Sequence, residues 1–255
     1  MDKKEFLNRF TFYDKTSLAS LYEKIKIAER VSYPLYTNEF YTPNVINTLE
    51  SIKELSYIDM KFLGGFEESE RKIIGFNSEN CYDMPYLMLR IKCKSKFHSL
   101  THRDFLGAIV SLGIVREKFG DLIVESNEAY IPVINEVAPY ILNNLTSVSN
   151  TSCEVSIVDN IEEIPKVNFK DIDIISSSLR IDCIVGAITK VSRSTSEKLI
   201  KEGKVLLNYS ALLEKSREIS MEDIVTIRGY GKFKILNILG NTSSGRIKIR
   251  IKKYS

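Results

Sequence analysis

The chain has 255 residues, 44% of them hydrophobic, and a formal net charge of +3, enough apolar material for one to three compact domains. No apolar run reaches the roughly 18 residues of a membrane-spanning helix. Met1-Asp2-Lys3-Lys4-Glu5-Phe6 has no apolar stretch behind it, which argues against a signal peptide. The four cysteines, Cys81, Cys93, Cys153 and Cys183, are too scattered for a CxxC zinc or redox pair, and read as reduced, mostly buried thiols of a cytoplasmic protein. Charge is uneven: residues 1–179 hold 20 Lys+Arg against 26 Asp+Glu, and residues 180–255 hold 16 against 7. A basic end on a near-neutral chain is the footprint of a polyanion partner, with a solvated basic face as the alternative.

In chain order, residues 1–80 read as a mostly helical α/β segment with a short hairpin. Leu18, Leu21, Tyr22, Ile25 and Ala28 fall on one side of a helix over Thr16–Arg30. Thr42-Pro43 opens a second helix. Tyr57–Phe62 and Lys72–Phe76 are predicted strands around Gly64-Gly65.

Residues 81–164 give the order β-α-β-β-α-β. Tyr86–Cys93 is a strand, Thr101 with Asp104 caps a helix that stops at Gly113, and Leu122–Glu125 and Ala129–Val133 flank the turn Ser126-Asn127-Glu128. Val137, Ile141 and Leu145 mark a second helix, and Glu154–Val158 a last strand. This is the ferredoxin-like (RRM-like) arrangement, which many unrelated domains share. Tyr86 and Tyr130 are available aromatics for base stacking, although no K/R-G-F-G-F-V run occurs. The acidic stretch Asp159–Asp173, with Pro165, reads as a linker, placed at residues 165–178.

Residues 179–255 begin with two short helices, Arg180–Thr189 and Ser194–Lys201. Ser192 and Ser194 are candidate caps, Ser194 with Glu197 in an S-x-x-E box, and Gly203 suits the C-terminal end. Lys190 and Arg193 lie at the start of the second helix, where free N–H groups favour an anion, and Lys198 and Lys201 share a face. Such a pattern suits a phosphate backbone, or equally a plain soluble helical hairpin. Two strands, Lys204–Asn208 and Asp223–Arg228, lead to Gly229-Tyr230-Gly231-Lys232, either a turn needing positive φ or a phosphate-and-base contact through Arg228, Tyr230 and Lys232. In the last hairpin Ile247, Ile249 and Ile251 alternate with Arg246, Lys248, Arg250 and Lys252, so one face is core and the other carries four like charges. The overall class is α+β.

No G-x-S-x-G, P-loop or G-x-G-x-x-G motif occurs. His98 and His102 are four apart, but Thr101 caps the helix between them and no HExxH glutamate is present. No catalytic residue, cofactor or metal ligand is predicted, and the chain reads as a non-enzyme. The competing readings are an RNA-modifying enzyme with an unrecognised middle domain and a factor whose basic face meets acidic protein.

Leu179-Arg180-Ile181-Asp182, Val191-Ser192-Arg193-Ser194, Ile200–Asn208 and Asp223–Gly229, in this order and spacing, resemble the S4 RNA-binding domain. Gly64-Gly65-Phe66 with Glu70-Arg71-Lys72, Phe97–Ala108 and Gly113–Asp121 resemble the YlmH family. Together these likenesses span nearly the whole chain. They imply a central RRM-like domain followed by an S4 domain with an αL-like two-helix motif. They also imply binding to rRNA and tRNA on the large ribosomal subunit in rescue of stalled translation, and a gene associated with cell-division clusters. The implied RNA-binding residues are Arg180, Lys190, Ser192, Arg193, Ser194, Lys198, Lys201, Lys204, Asn208, Arg228, Tyr230 and Lys232. A second contact would use Lys94, Lys96, His98, His102, Arg103, Arg116 and Lys118. Nothing in the residues specifies an oligomeric state.

Overall fold

A computed structural model describes residues 1–10, 13–78, 84–94, 99–167, 169–212 and 214–254. Met1–Lys166 and Val167–Ser255 form two compact units. Among the described residues no helix is long and apolar enough to cross a membrane.

The first unit opens with α1 (Lys3–Asn8) and α2 (Lys15–Ala28). Asp2 and Asp14 cap them, accepting from the Glu5 and Ser17 amides at 2.8 and 2.7 Å. Of the predicted stripe, Leu18, Leu21, Ile25 and Ala28 are buried and Tyr22 is partly buried. Next come β1 (Leu35–Tyr36), α3 (Pro43–Ser51), β2 (Met60–Leu63) and β3 (Ile73–Phe76), the strands forming a small sheet in the order β1-β3-β2. Pro43 stands in the first turn of α3, where its missing N–H costs nothing. β2 begins at Met60, not at Tyr57, whose ring stays 68% exposed.

Then follow β4 (Tyr86–Cys93), α4 (His102–Ser111), β5 (Ile123–Glu125), β6 (Glu128–Ile134), α5 (Ala138–Asn144), β7 (Ser147–Val148) and β8 (Thr151–Ile157). The sheet order is β5-β6-β4-β8-β7 with every pair antiparallel, which is the ferredoxin-like arrangement with one added edge strand. The Thr101 amide and hydroxyl both donate to the Asp104 carboxylate, at 2.8 and 2.6 Å, and fix the start of α4. Glu125 pairs with Glu128, leaving a two-residue turn in which Ser126 and Asn127 both have positive φ. One sheet face packs Leu89, Ile91, Ile131 and Val133 against Phe105, Ile109 and Ile141 of the helices.

The opposite sheet face is partly covered by the loop between β2 and β3. The Tyr86 hydroxyl donates to the Gly64 carbonyl at 2.6 Å, and its ring centroid lies 6.0 Å from that of Phe40. One carboxylate oxygen of Asp121 accepts from the Glu70 and Arg71 amides at 2.7 and 2.8 Å. A Cβ on Gly65 would stand 2.6 Å from the Pro132 ring and 2.7 Å from the end of Met88. The Gly64-Gly65 pair expected as a hairpin turn is therefore a close-approach surface.

The second unit comprises β9 (Phe169–Ser176), α6 (Ile181–Thr189), α7 (Arg193–Lys201), β10 (Val205–Leu207), β11 (Ser210–Ala211), β12 (Ile224–Ile227), β13 (Gly231–Asn241) and β14 (Ile247–Tyr254). Its antiparallel sheet runs β11-β10-β12-β13-β14-β9. Ile181, Ile184, Val185 and Ile200 of the helices pack on Val225, Ile235, Ile249 and Ile251. The expected linker over 165–178 is corrected here. Residues 169–176 form an edge strand that pairs with β14 along its whole length. Ile172, Ile174 and Ser176 face inward while Asp171, Asp173 and Ile175 face out. The acidic residues thus mark the solvent side of a strand.

Gly65→Ala should destabilise the first unit by about 1–3 kcal/mol through overpacking. Urea unfolding measures it, and an unchanged midpoint would contradict the close approach at Pro132.

Candidate nucleic-acid interface

The second unit holds 17 Lys+Arg against 9 Asp+Glu. Its charge is organised around the turn between α6 and α7. Lys190 ends α6 in the left-handed region, with φ +59, which turns the chain sharply. Ser192, not Ser194, caps α7, accepting from the Thr195 amide at 3.2 Å. The Ser194 hydroxyl lies 2.9 Å from that of Ser192.

Asp182 sits beneath this turn with no exposed surface. Its carboxylate accepts from Arg180 Nε and Nη2 at 3.1 and 3.0 Å. It also accepts from Arg193 Nε at 3.2 Å, with Arg193 Nη2 at 3.1 Å. The Cys183 amide adds a bond at 3.0 Å. Burial alone would push this carboxyl up, but the hydrogen bonds and charges of Arg180 and Arg193 hold it below the usual carboxylate range. Two guanidiniums are thereby fixed by one buried anion. The Arg193 side chain remains 64% exposed, so it is oriented and still available to an anion.

Along α7, Lys198 and Lys201 are exposed, Lys198 within 3.9 Å of Glu202. Lys204 pairs with Glu202 at 2.7 Å, and its carbonyl accepts from the Arg228 amide at 2.9 Å. A nine-residue helix is about 13 Å long, so Arg193 heads one end of a cationic stripe and Lys201, Lys204 and Arg228 stand at the other. Gly229 and Gly231 have φ of +88 and +123, which gives the Tyr230 turn a backbone role, while the Tyr230 ring is 41% exposed. Asn208 is turned to structural use. Its amide donates to Asp223 at 2.8 Å and its oxygen accepts from the Ile224 amide at 2.9 Å. Lys232 lies over the Tyr254 ring, 4.2 Å from the centroid.

The basic face of β14 is less lopsided than its sequence. Arg250 bonds Asp173 at 2.8 and 3.2 Å, Lys248 approaches it at 4.0 Å, and Lys252 stands opposite Asp171. The expectation of four uncompensated like charges is corrected by this acidic neighbour strand.

In the first unit Lys94, His102 and Arg103 are exposed. Lys96 and His98 lie outside the described residues. Arg116 and Lys118 serve as internal ties. Arg116 donates to the Phe119 carbonyl at 2.6 Å, lies 4.6 Å from the Phe119 ring centroid, and is depressed to about 10 by burial. Lys118 donates to the Asn38 carbonyl at 2.9 Å. Tyr86 and Tyr130 do not form an open platform. Tyr86 is tied to Gly64, and Tyr130 is 7% exposed, beneath Arg90 and bonded to Glu128. Among the described residues no group of His, Cys, Asp and Glu is placed to hold a metal.

Two further residues belong to this region. Arg246 lines the same groove as Arg193 and Asp182, yet is far from both in sequence. Asp182 enters the sequence pattern only as part of Leu179-Arg180-Ile181-Asp182, and its place between Arg180 and Arg193 is the signal for its pairing.

Residues 80–162 match the family described as "Putative RNA-binding domain in YlmH". Over 226 residues the chain is 25% identical to "Ribosome-associated protein quality control protein P2" of Bacillus subtilis, spanning 87% of this chain and 88% of that protein. These two findings bear out the resemblance to the YlmH family. A solved structure, "Cell division protein ylmH from Streptococcus pneumoniae", is 23% identical, with a TM-score of 0.48, covering 61% of this chain and 97% of its own.

Asp182→Asn should destabilise the second unit by about 3 kcal/mol at pH 7, because two arginines lose their buried anion. Asp182 has a depressed folded-state pKa. Its contribution is thus full above the unfolded carboxylate value of about 3.9 and disappears as pH falls through the lower folded value. Denaturant titrations at pH 7 and pH 2 should show the gap between wild type and variant closing at the acid end. A gap that persists would contradict the ionic role.

Proposed function

We propose that this protein binds rRNA and tRNA on the large ribosomal subunit during rescue of stalled translation, acting in the cytoplasm as a binding factor rather than an enzyme. Val167–Ser255 serves in this reading as an S4-type RNA-binding domain, with the central domain as a second contact through Lys94, His102 and Arg103. The observation that carries the reading is the Asp182 clamp, which sets an exposed Arg193 at the head of a helix whose outer face bears Lys198 and Lys201. Guanidinium and ammonium groups presented at a helix start are the usual means of gripping phosphate. Support comes also from the match of residues 80–162 to the family described as "Putative RNA-binding domain in YlmH" and from the likeness to a Bacillus subtilis protein named for ribosome-associated quality control.

Purified protein should sediment with large ribosomal subunits, with affinity falling steeply as salt rises. Arg193→Gln, Lys198→Gln and Lys201→Gln combined should lower that affinity about tenfold or more and flatten the salt slope by about 2–3. Circular dichroism should show the triple variant folded. Salt-independent association, or a folded triple variant with wild-type affinity, would sink this reading. A changed nucleotide mass in RNA incubated with the protein would favour an RNA-modifying enzyme instead.

A further inference from the structure

A groove of about 530 Å³ opens between the end of β9, the first two turns of α6 and the start of α7. Its walls combine two kinds of surface. Arg193 and Arg246 supply positive charge, while Ile175, Gly186, Ala187 and Val191 supply an apolar floor. Arg193 is held in orientation by Asp182, which lies buried beneath the groove. Arg246 comes from the far end of the β13–β14 hairpin and is itself exposed. Ile175 is 52% exposed although it lies within a paired strand.

We infer that this groove receives one unstacked nucleotide of the bound RNA, its phosphate between Arg193 and Arg246 and its base against Ile175, Gly186 and Ala187. The inference rests on the RNA-binding reading above and names the element of RNA recognised. Size and chemistry both select this occupant. Volumes of about 300–1,000 Å³ suit small organic groups, not a helix. Double-stranded RNA is read across a broad shallow surface, whereas an extruded base enters a pocket and rests against aromatic or apolar side chains or a guanidinium plane. A nucleotide joins an apolar base to an anionic phosphate, the same pairing that the groove presents. Two arginines beside an apolar floor also disfavour an acidic peptide, whose side chains offer charge without a flat apolar body.

The test compares two RNA hairpins of identical stem, one with a single-nucleotide bulge and one fully paired, by fluorescence anisotropy with the full-length protein. Wild type should prefer the bulged hairpin by about tenfold, the scale of one stacked base. Ala187→Leu fills the floor and should abolish that preference while leaving affinity for the paired hairpin unchanged. Arg246→Gln should reduce the preference; because Arg246 is exposed, it carries the test alone if Ala187→Leu fails to fold. Equal affinity of wild type for both hairpins, or full preference retained in either folded variant, would overturn the inference. Competition by free nucleoside monophosphate at concentrations matching the RNA would also overturn it, marking a small-molecule site. Failure of wild type to bind large subunits at all would instead overturn the proposed function.

Discussion

A carboxylate with no exposed surface must be compensated, and Asp182 organises the second unit around that requirement. Its position in the first turn of α6 places it under the start of α7, and only arginines reach it from both sides. One comes from the residue before α6 and one from the first residue of α7, so an ionic knot ties the start of α7 to the first turn of α6, beside the apolar packing of Ile181, Ile184, Val185 and Ile200. A buried pair of this kind adds little net stability over an apolar core, but loses heavily if one partner is removed. What the knot does provide is orientation. Arg193 keeps most of its side chain in solvent while its guanidinium is anchored at one edge, which lowers the entropy lost when it grips an anion.

The sheet behind the helices depends on a second compensation of charge. β14 alternates isoleucines that close the core with cations that face solvent. Alone it would align Lys248, Arg250 and Lys252 along one face, where like charges repel. β9 answers with Asp171 and Asp173 at the facing positions. Its inward Ile174 meets Ile249 on the core side. The edge strand thus completes the apolar layer and neutralises part of the basic row. Positive charge left uncompensated by β9 concentrates on α7, Lys190, Arg246 and the Arg228 turn.

Much of this fold was legible because its periodicities are local. The β-α-β-β-α-β order, the Thr101–Asp104 cap and the glycines around Tyr230 follow from spacing and turn chemistry within a few residues. β9 was not legible for the opposite reason. Its acids suggest a linker, and its role appears only when β14, some 75 residues later, supplies the complementary row. Gly64-Gly65 had the same ambiguity. A glycine pair reads as a turn in sequence, but these two let the loop lie against Pro132 and Met88, neighbours that no local pattern announces. Site residues divided similarly. Arg193, Lys198 and Lys201 could be placed on α7 from spacing, whereas the commitment of Asn208, Arg116 and Lys118 to internal bonds required the tertiary fold.

The cover over the central sheet constrains how this domain can meet RNA. RRM-like sheets commonly use exposed aromatic rings on their two middle strands as a stacking platform. Tyr86 and Tyr130 occupy those strands, but one is bonded to Gly64 and the other is buried under Arg90. Arg90 and Lys92 share Glu128, so the uncovered part of the face is a closed ionic network instead of an aromatic surface. Among the described residues, the exposed charge this domain offers outside that network includes Lys94 and Arg103, with His102 next to Arg103 in the chain. Charge contacts position a backbone without reading bases. The second unit, by contrast, lines one groove with an apolar floor and two guanidiniums.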